Sequence, residues 1–203
     1  FGPHVTVSRP LSGISTSSLT VDSTNLPTNY YLYVTNEGSG GGGTTVIQIA
    51  DDGTAQVVGT GFNGPSGLAE DTGASDPLFY VSDDDNGLYT QTLSGTFSTV
   101  ATGFSNPNAL HLDTANNDIY IAEAGNQILQ FHLGTLAPTI LATNYYTPQA
   151  VTRNSSSGLV YFTDFSGDVF QIDPIIDTLP LDASTANLAT VLASAVAPNT
   201  EGG

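Results

Sequence analysis

The sequence predicts an all-β fold: a β-propeller built from about four recognisable four-stranded blades. Three observations predict it. A unit of about 41 residues recurs, the period expected of propellers and solenoids. Pro65, Pro107 and Pro148 mark it, as do Tyr80, Tyr120 and Tyr161, and a looser first copy carries Tyr33. Next, the apolar residues fall in short β-branched and aromatic runs broken by Gly, Asn and Asp, with no capped window of helical period. Finally, four strands of about five residues with short turns occupy about 40 residues, so period and strand count agree.

Taken in order, residues 1–10 hold a leading strand, in which His4-Val5-Thr6-Val7-Ser8-Arg9 alternates apolar and polar until Pro10 ends it. Repeats fill residues 15–193, as blades at about 15–60, 61–102, 103–143 and 144–193. The third blade is the template, with strands at residues 109–113, 119–122, 127–133 and 139–143. The second blade adds strands at 88–93 and 97–102. The first has strands at 19–22, 31–35 and 45–49, with a glycine-rich tip at 38–43. The fourth has strands at 168–172 and 188–193, separated by residues 173–187. Pro174 and Pro180 should keep that insertion out of the sheet as a surface loop. Residues 194–203 read as a stub or tail entering a further repeat.

Each recurring residue type has a physical reason. Gly61, Gly103 and Asn144 stand where one blade leads to the next, and both types tolerate positive φ. Phe62, Phe104 and Tyr145 follow them and can wedge between blades. The proline then fixes φ before an innermost strand, and Gly67, Ala109 and Ala150 are small because those strands crowd. Asp22, Asp71, Asp113 and Asn154 close that strand with an Asx-turn. Asn36, Asp83, Glu123 and Asp164 follow the repeated tyrosine by three residues, where a side-chain oxygen can accept loop N–H groups. Tyr33, Tyr80, Tyr120 and Tyr161 should occupy equivalent buried or half-buried strand positions, and Tyr161→Ala should cost about 3 kcal/mol or more.

The run of proline, small residue, apolar strand ending in Asp, then apolar-Tyr-Val and Asp resembles the NHL and SMP-30/gluconolactonase-like propeller repeats. The resemblance spans about residues 15–193 and implies blades around an axis with the proline-led strand innermost. It also implies a divalent-metal-dependent lactonase-like hydrolase as an alternative function, for which Glu37, Asn106, Asn108, Glu123 and Asp164 have the right chemical types. Four blades is few for these families, so sequence beyond both ends, or a second chain, is expected. The start at Phe1-Gly2-Pro3 likewise reads as a processed product or a fragment.

Composition narrows the partners. Nineteen acidic residues stand against Arg9 and Arg153, for a formal charge of −17. Binding to a phosphate backbone needs clustered Lys and Arg, so nucleic acid is disfavoured, as is an anionic membrane surface. No apolar run approaches a membrane span. The lysine-free, Ser/Thr/Gly/Asn-rich chain reads as secreted or extracellular.

Candidate chemistry is sparse. Asp83-Asp84-Asp85-Asn86-Gly87 is the densest acidic run, with Asp83 and Asp85 as Ca²⁺ ligand candidates, but it lacks the EF-hand order and its distal Glu. No cofactor other than Ca²⁺ is expected. His111, on an innermost strand, is a general-base candidate without an evident partner. Asn154-Ser155-Ser156 is a glycosylation sequon. The reading is a non-catalytic extracellular scaffold whose partner is another extracellular protein or itself. Val5 and Val7 of the leading strand would pair within the chain or complete a blade of a neighbouring copy, giving oligomers or filaments; a truncated longer propeller is the competing account.

Overall fold

The computed structural model describes residues 31–38, 43–73, 76–185 and 187–193. It is all-β: sixteen strands lie in four sheets, with no helix among the described residues. The first sheet is β1 (Tyr31–Asn36), β2 (Thr45–Ala50) and β3 (Ala55–Thr60). The second is β4 (Pro65–Asp71), β5 (Leu78–Asp83), β6 (Gly87–Thr92) and β7 (Phe97–Thr102). The third runs β8 (Pro107–Asp113), β9 (Asp118–Glu123), β10 (Gln127–His132) and β11 (Ala137–Thr143). The fourth holds β12 (Ala150–Arg153), β13 (Val160–Thr163) and β14 (Val169–Ile172). From there the chain sends β15 (Leu181–Asp182) back to the third sheet before β16 (Thr190–Ala193) closes the fourth. Neighbours within each sheet are antiparallel except β15 with β11, as short turns between sequential strands require.

The expected insertion at residues 173–187 is therefore corrected. It does not stay clear of the sheets: Leu181 and Asp182 pair in parallel with Ala142 and Thr143, and the Leu181 side chain is buried. Pro174 and Pro180 themselves lie outside any strand, but directly after Pro180 one buried apolar side chain brings the segment back to a sheet. Residues 4–9, with Val5 and Val7, and the strand at 19–22 with Asp22, lie outside the described residues, as do residues 194–203.

Alternation along each second strand builds the core. Phe79 and Val81 point towards the first sheet and join Tyr33, Val46, Phe62 and Leu68. Between them Tyr80 points the other way, meeting Ile119, Ile121, Leu129 and Phe131 of the third sheet. Tyr120 and Ala122 repeat the move towards Val160, Phe162, Phe170 and Ile172 of the fourth. Period-two alternation in a strand covered on both faces gives one apolar layer per pair of successive sheets.

The junctions behave as their residue types require. Gly61 and Gly103 have φ of 94° and Asn144 has φ of 62°, the left-handed region where a Cβ is costly for other residues. Phe62, Phe104 and Tyr145, next in sequence, are buried between sheets. Tyr145 meets Phe162 and Phe170 edge-on, at centroid distances of 4.9 Å each.

Candidate functional site

The proline-led strands β4, β8 and β12 lie in sequence beside one another, with β1 next to β4. Side chains stitch them across the sheets. Thr35 Oγ1 donates to the Ser66 carbonyl at 2.9 Å, and Ser66 Oγ donates to the Pro107 carbonyl at 3.0 Å. Asn108 Nδ2 donates to the Pro148 carbonyl at 3.4 Å. Asn108, one of the residues the hydrolase resemblance would use, is thus occupied in holding inner strands together.

A groove of ≈ 310 Å³ opens along these strands, lined in part by Glu70, His111 and Thr152. His111 and Thr152 occupy equivalent positions, paired with Tyr120 and Tyr161 respectively, and His111 Nδ1 lies 3.3 Å from Thr152 Oγ1. Burial lowers the His111 pKa, the nearby Asp113 carboxylate opposes this, and the Arg153 charge adds to it, which favours the neutral ring. A neutral imidazole beside a hydroxyl is a base beside a weak nucleophile, yet a triad also needs an orienting carboxylate. Asp113 does not serve as one. Its Oδ2 accepts from Arg153 Nη1 at 2.6 Å and Asn116 Nδ2 at 2.7 Å, and its Oδ1 from the Ala115 N–H.

The Asn, Asp and Glu side chains three places after each tyrosine hold loops. Asn36 Oδ1 accepts from Gly38 N–H. Asp83 takes Asn63 N–H at 2.7 Å and Asp85 N–H at 3.2 Å, one on each oxygen. Glu123 Oε1 takes Ser105 N–H at 2.8 Å, the equivalent of the Asn63 bond, and Asp164 Oδ1 takes Ser166 and Asp168 N–H. Asp85 accepts the Tyr89 hydroxyl at 2.7 Å, which pushes the phenol pKa up to about 12. Asn106 N–H is received by Asn86 Oδ1, and Glu37 lies near enough to Asp84 for their charges to repel. Among the described residues no three His, Cys, Asp or Glu side chains form a group that could hold a metal. Asn154 Oδ1 accepts from Ser156 and Ser157 N–H, an Asx-turn on an exposed loop, so the sequon residue is accessible. Asp71 and Asp113 make the same turn with Gly73 and Ala115.

Burial raises the pKa of Glu123, and the Ser105 N–H only partly offsets it. The folded carboxyl therefore holds its proton more tightly than the unfolded one. Between the ordinary Glu value and the raised one the native state binds more protons, so this group makes stability rise as pH falls through that window. Glu123→Gln keeps an acceptor for Ser105 and carries no charge. Its melting temperature at pH 7 should equal or exceed that of the parent, and its gain on acidification should be smaller; a clearly lower value at pH 7 refutes the sign.

Sequence reasoning missed the inner-strand bonds of Thr35 and Ser66, the Arg153–Asp113 pair and the Asp118–His132 contact at 2.8 Å. All join residues 14 to 41 positions apart, and no local motif announces such pairs.

No protein-family model matches the chain, and no curated protein matches it significantly. Among solved structures it is similar to the crystal structure of an auxiliary nutrient binding protein from Bacteroides thetaiotaomicron VPI-5482, with a TM-score of 0.51 and 18% sequence identity. The match covers 66% of this chain and 31% of that one, so this chain spans about a third of that protein's length. At that identity the likeness is one of fold.

Proposed function

We propose that the chain is a non-catalytic extracellular β-propeller of the NHL and SMP-30/gluconolactonase-like kind, acting as a scaffold that assembles with copies of itself. The four successive sheets are read as blades and β1, β4, β8 and β12 mark the inner side, an arrangement supported by three apolar layers between successive sheets and by inner strands that neighbour one another in order. A scaffold reading also suits Asp83, Glu123 and Asp164, whose carboxylates accept loop N–H groups, and the structural neighbour above is itself named for binding.

Assembly rests on one observation: β16 is exposed along its whole length, and Leu188, Val191 and Leu192 are each about half exposed around it. An open strand edge bearing apolar side chains is a template for strand addition. The neighbouring sheet carries a precedent, since β15 adds to the outer strand β11. The alternating segment at residues 4–9 of a neighbouring copy is the proposed occupant, with Val5 and Val7 on one face and Arg9 bringing one of the two arginines to an acidic chain. Deleting residues 1–9 should reduce the particle mass measured by light scattering to that of a single chain. An unchanged assembly size, or a parent that is already monomeric, refutes the proposal.

A further inference from the structure

A cavity of ≈ 500 Å³ lies between the outer strands of the first and second sheets, distinct from the groove at the inner strands. Its volume lies within the range of small-molecule pockets. None of its lining side chains is ionisable, in a chain with 19 acidic residues. Three are glutamines, Gln48, Gln56 and Gln91, and an aromatic ring, Phe97, stands at the rim.

Gln91 is the informative residue. By strand register its counterpart in the third sheet is Phe131, since Phe79 pairs with Gln91 as Ile119 pairs with Phe131. Its counterpart in the fourth sheet is Ile172, paired with Val160. Phe131 is 1% exposed and Ile172 is 0%; both fill the layer facing the preceding sheet. At 3% exposure Gln91 is as buried, but it puts a carboxamide where the other sheets put hydrocarbon. Burying an amide costs free energy unless it is paired; Nε2 donates to the Thr92 carbonyl at 3.0 Å, and no buried side-chain polar atom among the described residues lacks a partner, so the rest of the carboxamide keeps access to the cavity.

The surroundings agree with a built site. Gln56 donates to Gln48, which donates to the Tyr33 hydroxyl at 2.7 Å, so these amides are oriented as a chain. Gly59 sits against Gln91 Cγ at a position where the other outer strands carry Ala101 and Ala142, and a Cβ there would crowd Gln91 at 3.2 Å. Phe97 is held by Tyr89, stacked at 5.0 Å and 25°, and by Phe62 edge-on at 5.3 Å, while 39% of it stays open. Fixed carboxamides, an aromatic face and no charge match a molecule with hydroxyl edges and an apolar C–H face. We infer that the cleft between the first two sheets is a binding site for a neutral sugar of about disaccharide size, with Gln91 and Gln48 reading hydroxyls and Phe97 taking the apolar face.

This inference is independent of self-assembly and is tested on the full chain. Maltose, cellobiose and lactose are titrated by calorimetry, with gluconate as an anionic control. At least one disaccharide should bind with a millimolar or tighter Kd, and gluconate should not. Gln91→Leu, which installs the apolar filler of the sister sheets, should weaken binding at least tenfold while leaving the melting temperature equal or higher. Val57→Arg, on the exposed rim, should weaken it with the fold unchanged. Absence of binding by all three sugars, undiminished binding in Gln91→Leu, or a lower melting temperature for that variant overturns the assignment.

Discussion

Replacing Phe162 with alanine should cost about 3–5 kcal/mol in chemical denaturation, the range for large aromatic truncations in cores. Phe162 is fully enclosed, stacks on Phe170 at 4.8 Å and 18°, and meets Tyr145 edge-on. Removing it opens a cavity in the apolar layer between the third and fourth sheets. Its sequence neighbour behaves differently. Tyr161 is only half-buried, unlike Tyr33, Tyr80 and Tyr120, so Tyr161→Ala should cost about 1 kcal/mol, well below the expectation from the repeat alone. Equal losses for the two variants would show that the far face of the fourth sheet is covered as fully as the near one.

The contrast between those neighbours shows what was legible in the sequence. The recurring unit placed Tyr161 correctly in its strand, paired with Thr152 just as Tyr120 pairs with His111. Register is local, because proline, turn and strand lie close together in sequence. Burial is not: Tyr120 is covered by residues of the fourth sheet, whereas among the described residues no further sheet follows to cover Tyr161 in the same way. The same division explains the junctions and the insertion. Positive φ at Gly61, Gly103 and Asn144 followed from residue type, but the return of Leu181 to β11 depends on where a distant edge lies. For the candidate sites, the cap role of Asp83 and Glu123 was readable from their spacing. Gln91 was hidden, since a glutamine in a strand looks like a solvent-facing residue until its register counterparts prove to be Phe131 and Ile172.

Breaking the Arg153–Asp113 pair should have the second large effect. Both side chains are shielded, 15% and 5% exposed, and the bond spans two sheets at 2.6 Å. Removing one partner of a shielded pair leaves an uncompensated charge, which costs about 3–5 kcal/mol when fully buried, and about 2–4 kcal/mol is expected at this partial exposure. Arg153→Met keeps most of the side-chain packing and leaves Asp113 to Asn116 and Ala115 alone. The loss should depend on pH. Burial works to raise the Asp113 pKa, but the Asn116 bond and the Arg153 charge outweigh it and hold the carboxyl below its ordinary value. A depressed folded pKa gives stability that is complete above the unfolded Asp value and is lost as pH falls through the folded one. The deficit of Arg153→Met should therefore be largest at neutral pH and shrink as the solution is taken below the ordinary Asp range. Adding Asp113→Asn to Arg153→Met should recover part of the loss at pH 7, because the stranded charge goes with it. A deficit that is the same at pH 7 and pH 3, or a double variant weaker than either single one, would show that Arg153 acts through packing and not through its charge.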